Sequence, residues 1–398
     1  MHVIALENEL SSRRGGQELN LLEICHGLFQ RGHRISLVYI KEGDLLEKYQ
    51  SFCSSLTKVN SYGFDRRKLK ETLTFISGLN SIREIPIEQD TVVFSNDYYS
   101  SFFGCLLSSF RSLPFVCYLQ LPPLEFNYQR RIALKRVNQF VAVSDQTKND
   151  WLQEGIAKEK IDVVYNGTDL MKFRPVANSL ALREEQDIAE DVKVIGYVGR
   201  IDKPKGLEVL IKASALLADR GVNIKLLIAG KPLIHFNPEI GDLCSESGEQ
   251  YLQSLKQLAK DLGIEQRVSF LGHLTNTATL YQTSDVTVVP SLWSEPFGRV
   301  VIESMACGTP VVASQIGGIP EILTGEFQAQ LFEPGNAQEL AKVLQQNLDW
   351  KEKDPQLGQR CREHMASRFS LDSMVNGIEA VLLKTMNQQI LPKQKIAV

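Results

Sequence analysis

Residues 288–313 read VVPSLWSEPFGRVVIESMACGTPVVA, and the fold is decided there. Val288 and Val289 end a β-branched run that Pro290 stops. A polar loop carrying Glu295 comes next. Phe297-Gly298 then open a helical pattern, with Glu303 about one turn inside it. Gly308-Thr309-Pro310 end that helix just before Val311–Ala313 begin another strand. Strand, helix and strand in so short a stretch make a parallel crossover, which buries its strands under helices on both faces.

The same alternation runs outward toward the amino end, while everything after Asn336 reads as helical, over Asn336–Leu348, Gln356–Arg368 and Ser370–Met386. Toward the amino end, strands are expected at Lys193–Val198, Ile224–Ala229, Arg267–Phe270 and Val286–Val289. Helices are expected near Gly206–Ala218, Glu249–Leu262, Thr275–Thr283 and Arg299–Ala306. An earlier set of strands lies at Val3–Leu6, Ile35–Ile40, Thr91–Ser95, Phe115–Leu119, Phe140–Val143 and Asp162–Tyr165, with helical stretches such as Gln17–Gln30, Arg66–Leu79 and Gln146–Glu154 between them. The two sets repeat an architecture rather than a sequence. The expected fold class is therefore α/β, with two doubly wound parallel sheets facing a cleft. The expected domains are 1–175 and 192–370. A charged linker spans 176–191, and a closing helix and tail span 371–398, free to cross back to the first domain.

Composition narrows the class of partner. The 398 residues are 43% hydrophobic and 23% charged, so each half can bury its own core. Basic and acidic residues number 44 and 47, which excludes a polycation built for nucleic acid. No run of about 18 apolar residues is present, so no membrane-spanning helix is expected. The start, MHVIALENEL, lacks a basic leader and reads as a first strand. Seven scattered cysteines without a CxxC pair suit reduced thiols and a cytoplasmic setting. The six histidines form no HxxxH or HExxH pair, so no metal site is expected.

The chemistry concentrates on the opening stretch. Free N–H groups at a helix start attract phosphate, and Gly298 lets a ligand approach the backbone closely. Glu295 in the loop can accept bonds from sugar hydroxyls, and Glu303 on the helix can reach a ribose diol. Two acids around a phosphate-ready helix start suit a nucleotide sugar. The plain alternative is a polar loop with Glu303 on a solvated face.

Glu295, Phe297, Gly298 and Glu303, continued by ESMACGTPVVAS, resemble the ExFG-x4-E signature of the retaining glycosyltransferases of family 4, which have the two-Rossmann GT-B fold. Three other places keep that family's order. Ser12-Arg13-Arg14-Gly15-Gly16 resembles its glycine-rich loop after the first strand. Val141–Ser144 with Val164–Asp169, Phe173 and Pro175 resembles the end of its acceptor domain. Gly199–Gly206, GRIDKPKG, resembles the loop after the second domain's first strand.

The resemblance implies roles by position. Arg200 and Lys205 would neutralise the diphosphate, and Glu295 would hold the donor sugar; these three form the implied catalytic set. The backbone of Phe297, Gly298, Arg299 and Val300 would meet sugar and phosphate. Glu303 would hold the ribose. His273 and Leu274 fall on the base-contacting loop, and Gly15 and Gly16 would meet the donor phosphate or the acceptor; a helix-start turn needing positive φ is the alternative for the glycines. No DxD motif occurs, so no metal and no further cofactor is expected beside the nucleoside diphosphate sugar, a UDP-hexose being favoured.

The sequence departs from the family at one place. Many members have a histidine at the end of the acceptor-domain strand, where this chain has Gln120. Gln120 and Asp97 are the acceptor-side candidates; Asp97 reads equally well as a cap for the next helix. Two basic stretches, Arg66–Lys70 and Arg130–Arg136, read as solvated helix faces, or as contacts with the inner face of a membrane.

The expected activity is transfer of a hexose, with retention and by a front-face route, to a sugar, lipid-linked or small-molecule acceptor. A nucleotide-sugar epimerase or hydrolase, a sucrose-type synthase and a non-catalytic nucleotide-sugar binding protein are the alternatives. Nucleic acid is not an expected partner.

Overall fold

The computed structural model describes residues 1–12, 15–64, 68–81, 83, 85–124, 127–176, 181–232 and 248–394. The chain divides into two compact units, Met1–Asn166 with Leu371–Val398, and Gly167–Ser370.

The first unit is a seven-stranded parallel sheet. Its strands are β1 (His2–Glu9), β2 (Arg34–Lys41), β3 (Ser55–Lys58), β4 (Thr91–Ser95), β5 (Phe115–Leu119), β6 (Gln139–Ala142) and β7 (Ile161–Val163), in the order β3-β2-β1-β4-β5-β6-β7. The order reverses between β1 and β4, which pair in register from His2 opposite Thr91 to Leu6 opposite Ser95. Val3, Ile4, Ala5 and Leu6 are fully buried, as the run of apolar residues requires of a strand covered on both faces.

The last helix, Leu371–Gln394, packs on the helix Gly16–Gln30 and on β4, β5 and β6. Glu379 fixes it there. Arg31 Nη1 donates to Glu379 Oε2 at 2.7 Å, and His33 Nε2 lies 2.6 Å from Oε1.

The second unit is a six-stranded parallel sheet. Its strands are β8 (Lys193–Val198), β9 (Ile224–Ala229), β10 (Val268–Gly272), β11 (Val286–Val289), β12 (Val311–Ser314) and β13 (Leu331–Phe332), in the order β10-β9-β8-β11-β12-β13. The reversal here falls between β8 and β11. One core of fully buried side chains, including Ile195, Leu210, Leu226, Val288 and Leu344, joins the sheet to the helices Leu207–Asp219 and Ala337–Asn347.

The division differs from the expected 1–175 boundary. Residues 167–175 bond within the second unit: Thr168 bridges to Ser370, and Arg362 donates to the carbonyls of Leu170 and Phe173 at 2.9 Å each. The stretch expected as linker contains the helix Ala181–Glu185, and Arg183 there bonds to the Val192 carbonyl; residues 177–180 lie outside the described residues. The strands β3 and β13, four and two residues long, are additions to the elements expected from sequence.

Among the described residues no helix is long and apolar enough to cross a membrane. Six cysteines are free thiols, and Cys244 lies outside the described residues.

Candidate functional site

In open parallel sheets, ligands bind beyond the carboxyl ends of the strands where the order reverses. Each unit has one such place, and each is considered by itself.

In the second unit, the loops after β8 and β11 meet there. Leu292 N donates to the Pro204 carbonyl at 2.8 Å. Gly206 sits at φ 67°, and a Cβ on it would lie 2.0 Å from the Pro290 carbonyl oxygen. Only glycine allows both the left-handed backbone and that contact. The close approach brings Lys205 onto Glu295: Nζ lies 2.5 Å from Oε1. Ser291 Oγ donates to the same oxygen at 2.6 Å. Burial pushes the Glu295 carboxyl up, but the Lys205 ammonium and these hydrogen bonds outweigh it and hold it below its ordinary value.

Arg200, in the same loop, is paired differently. Its Nε lies 3.2 Å from Oδ2 of the buried Asp202, while the side chain as a whole stays 43% exposed. One edge of the guanidinium is held and the rest is open to a ligand. Tyr197 Oη donates to the Arg200 carbonyl at 2.7 Å and fixes the backbone below it.

Gly298, at φ 125°, precedes the helix Arg299–Ala306. Phe297 is buried and meets the ring of Phe369 edge-on at 5.7 Å, so its side chain anchors the loop in the core. Glu303 is buried too, not on a solvated face. Its Oε2 accepts from Tyr281 Oη at 2.9 Å and its Oε1 from Arg299 Nε at 2.8 Å. Val300 is half-buried in the first turn. His273 and Leu274 come just after the edge strand β10; His273 is exposed, and Leu274 packs under a small apolar cluster with Val194 and Leu280. Thus Lys205 and Glu295 touch, and Arg299 and Glu303 touch. Asp202, Tyr281 and Ser291 were not among the residues expected from sequence. Asp202 and Ser291 stood inside loops already singled out; Tyr281 lies on a separate helix and carried no signal.

In the first unit, the ends of β1, β4 and β5 carry a buried polar network. Asn20 Nδ2 donates to Gln120 Oε1 at 2.7 Å, Gln120 Nε2 to Asn96 Oδ1 at 2.5 Å, and Asn96 Nδ2 to Glu7 Oε2 at 2.6 Å. Both ends of the Gln120 amide are therefore bonded within the protein. Asp97 closes the turn that leads into the helix Ser101–Arg111, whose N-cap is Ser100: its Oδ1 accepts from Ser100 N at 2.9 Å and from Ser100 Oγ at 3.0 Å. Gln17 Nε2 reaches its other oxygen at 3.3 Å. Burial, with Glu18 and Asp97 nearby, lifts Glu7 well above the ordinary carboxylate range.

Gly15 and Gly16 open the helix Gly16–Gln30. Gly15 is extended, at φ 160°, and a Cβ on it would meet nothing within 4 Å. A turn needing positive φ is therefore not the reason for glycine at position 15. Arg13 and Arg14 lie outside the described residues, as do Arg66 and Arg67 of the first basic stretch. Of the second, Arg130 stacks on the Tyr99 ring at 4.5 Å. Among the described residues no group of three His, Cys, Asp or Glu side chains could hold a metal ion.

Known proteins share this fold. The family model described as "Glycosyltransferase Family 4" matches residues 14–172, and "Glycosyl transferases group 1" matches residues 178–364. The D-inositol 3-phosphate glycosyltransferase of Mycobacterium tuberculosis is 34% identical over 201 residues. That stretch is 50% of this chain and 38% of the relative, so the match spans well under half of the curated relatives' length. Among solved structures, Anabaena Alr3699/HepE in complex with UDP and glucose has a TM-score of 0.79 at 23% identity, covering 96% of this chain and all of that one. Sucrose-phosphate synthase from Thermosynechococcus elongatus has a TM-score of 0.75 at 23% identity, covering 98% of this chain and all of that one. With two Rossmann-like parallel-sheet domains of the GT-B class and both family models in sequence order, this chain belongs to the group 1, family 4 glycosyltransferases.

Proposed function

We propose that the protein transfers a hexose from a nucleoside diphosphate sugar, a UDP-hexose being favoured, to an acceptor hydroxyl with retention of configuration. The observation that carries this reading is the meeting of the β8 and β11 loops at the second unit's reversal point. That meeting pairs Lys205 with Glu295, with Arg200 carried by the first of these loops and the Gly298 helix start by the second. Arg200 and Lys205 would neutralise the diphosphate, a guanidinium fork and a point charge on adjacent phosphates. The helix start would add backbone N–H groups, and Glu303 would accept from the ribose hydroxyls. In the front-face route the departing diphosphate oxygen takes the acceptor proton as the new glycosidic bond forms. The charge it keeps is what the two cations stabilise, so no metal is required.

The acceptor side belongs to the first unit's reversal point. Gln120, being bonded at both ends, would shape that site rather than ligate in it. Gly15 is not required by conformation or packing, which supports close approach of a ligand to that backbone. The related inositol-phosphate and sucrose-phosphate enzymes favour a small polyol or sugar acceptor in kind. A lipid-linked acceptor is the second reading. Tyr128 and Ile132 are exposed on the same helix as Arg131, Lys135 and Arg136, a mixture that suits an anionic bilayer surface. Sedimentation with anionic vesicles decides between them, since a polyol transferase stays in the supernatant.

The test of the main reading is turnover. UDP-glucose, UDP-galactose, GDP-mannose and ADP-glucose are each incubated with the protein and a panel of polyols and sugars, and nucleoside diphosphate release is measured. One donor should be consumed with net retention at the anomeric carbon, and Arg200→Ala should slow it about a hundredfold. If no donor is consumed and none protects the protein against unfolding, the reading fails.

A further inference from the structure

Glu303 is a ribose ligand only if the donor site is as proposed, and the selectivity inferred for it rests on that reading. Its two oxygens are not equivalent to those of a free surface carboxylate. Tyr281, fully buried in the short helix Ala278–Thr283, donates to Oε2 at 2.9 Å. Arg299, one turn earlier on the helix that carries Glu303, donates to Oε1 at 2.8 Å. Burial and the negative charge of Glu303 both keep the Tyr281 phenol protonated, so it stays a donor.

Tyr281 is itself held. Its carbonyl accepts from Thr309 Oγ1 at 2.7 Å, which ties its helix to the turn that closes Arg299–Ala306. Its ring centre lies 6.0 Å from that of Phe173. The carboxylate is thus clamped from both sides, on one of them by a tyrosine that is itself anchored. Each oxygen has spent one lone pair on the protein and keeps one. One open acceptor site on each of two fixed, adjacent oxygens matches two vicinal hydroxyls.

We propose that Tyr281 is the positioning residue through which this protein selects a ribonucleotide over its 2′-deoxy analogue. A fixed carboxylate that expects two hydroxyls leaves a buried lone pair unsatisfied when one is missing. A carboxylate free to rotate would re-pair with Arg299 or water, and the missing hydroxyl would go almost unnoticed. Tyr281 touches no substrate in this scheme; it acts through Glu303.

Calorimetric titration tests it, using UDP, GDP and ADP beside their 2′-deoxy counterparts, on the wild type, Tyr281→Phe and Glu303→Gln. For the diphosphate that binds, the wild type should favour the ribo form by about tenfold or more. Tyr281→Phe should bring that ratio below about threefold while the affinity for the 2′-deoxy form stays within about twofold of wild type. A loss of packing alone would weaken both forms alike and leave the ratio intact. If the ratio survives in Tyr281→Phe but falls in Glu303→Gln, the proposal is overturned and the donor reading stands. If it survives in Glu303→Gln as well, or if no diphosphate binds, the donor reading itself is overturned.

Discussion

Lys205 Nζ lies 2.5 Å from Glu295 Oε1, so the ammonium expected to face phosphate is already neutralised by the carboxylate expected to face sugar. The two side chains are 19% and 11% exposed, and the pair is largely out of water. A diphosphate would share this ammonium rather than meet a bare charge.

Removing Lys205 should therefore invert the pH behaviour of the site. In the wild type the Glu295 pKa is lowered, so its stabilisation is present above the ordinary carboxylate value and is lost as pH falls through the lowered one. In Lys205→Ala burial acts with much less opposition and the pKa rises. Stability is then greatest below the ordinary value and declines as pH climbs. The variant should lose about 3 kcal/mol at neutral pH, as for one broken partner of a buried pair. Urea unfolding from pH 4 to 8 reads this as a gap that widens with pH, and adding Glu295→Gln should narrow it. A gap independent of pH would count against the account.

Arg200 is predicted to act through its open edge. Arg200→Ala should lower kcat/KM for the donor about a hundredfold, and Arg200→Lys should recover only part of it because the fork is lost. Asp202→Asn should weaken donor binding less than either, since it loosens the guanidinium without removing it. Steady-state kinetics with the consumed donor gives the order, and Arg200→Lys matching wild type would exclude the bidentate role.

Glu7 gives a second pH prediction of fixed sign. Its folded pKa is raised, so its stabilising effect is complete below the ordinary value and fades as pH rises toward the folded one. Wild-type stability should fall between pH 5 and 8 more steeply than that of Glu7→Gln. Equal slopes in urea unfolding would show that Glu7 is ionised in both states and that its pKa is not raised.

Chelation should leave turnover unchanged. Dialysis against EDTA followed by assay with and without added Mg²⁺ or Mn²⁺ measures it, and a metal-restored rate would remove Arg200 and Lys205 from the role given them.

Strands were legible in the sequence where local pattern and global fold agree. Val286–Val289 and Val311–Ala313 are short, fully apolar or β-branched and bounded by proline or glycine, so burial on both faces left them one choice. The strand β3, Ser-Leu-Thr-Lys, is half-buried at a sheet edge and shows no such run. The same contrast holds in the site. Glu295 and Glu303 were legible because a single segment carries both. The Tyr281 bond was not, because it joins residues 22 apart through a tertiary contact. Gln120 was legible as a departure, but its bonds to Asn20 and Asn96 depend on how two strand ends and the helix Gly16–Gln30 converge.

The first unit is discontinuous, and this bears on how the molecule is made. Its sheet is complete by Val163, yet the helix that packs on it, with Val375, Ile378 and Leu382 buried, begins only at Leu371. During synthesis the first 166 residues leave the ribosome with that face uncovered, while the second unit, continuous from Gly167 to Ser370, has all it needs to fold. The first unit to be synthesised is then the last to be finished. Truncation at Ser370 should yield a chain whose second unit melts normally and whose first unit aggregates.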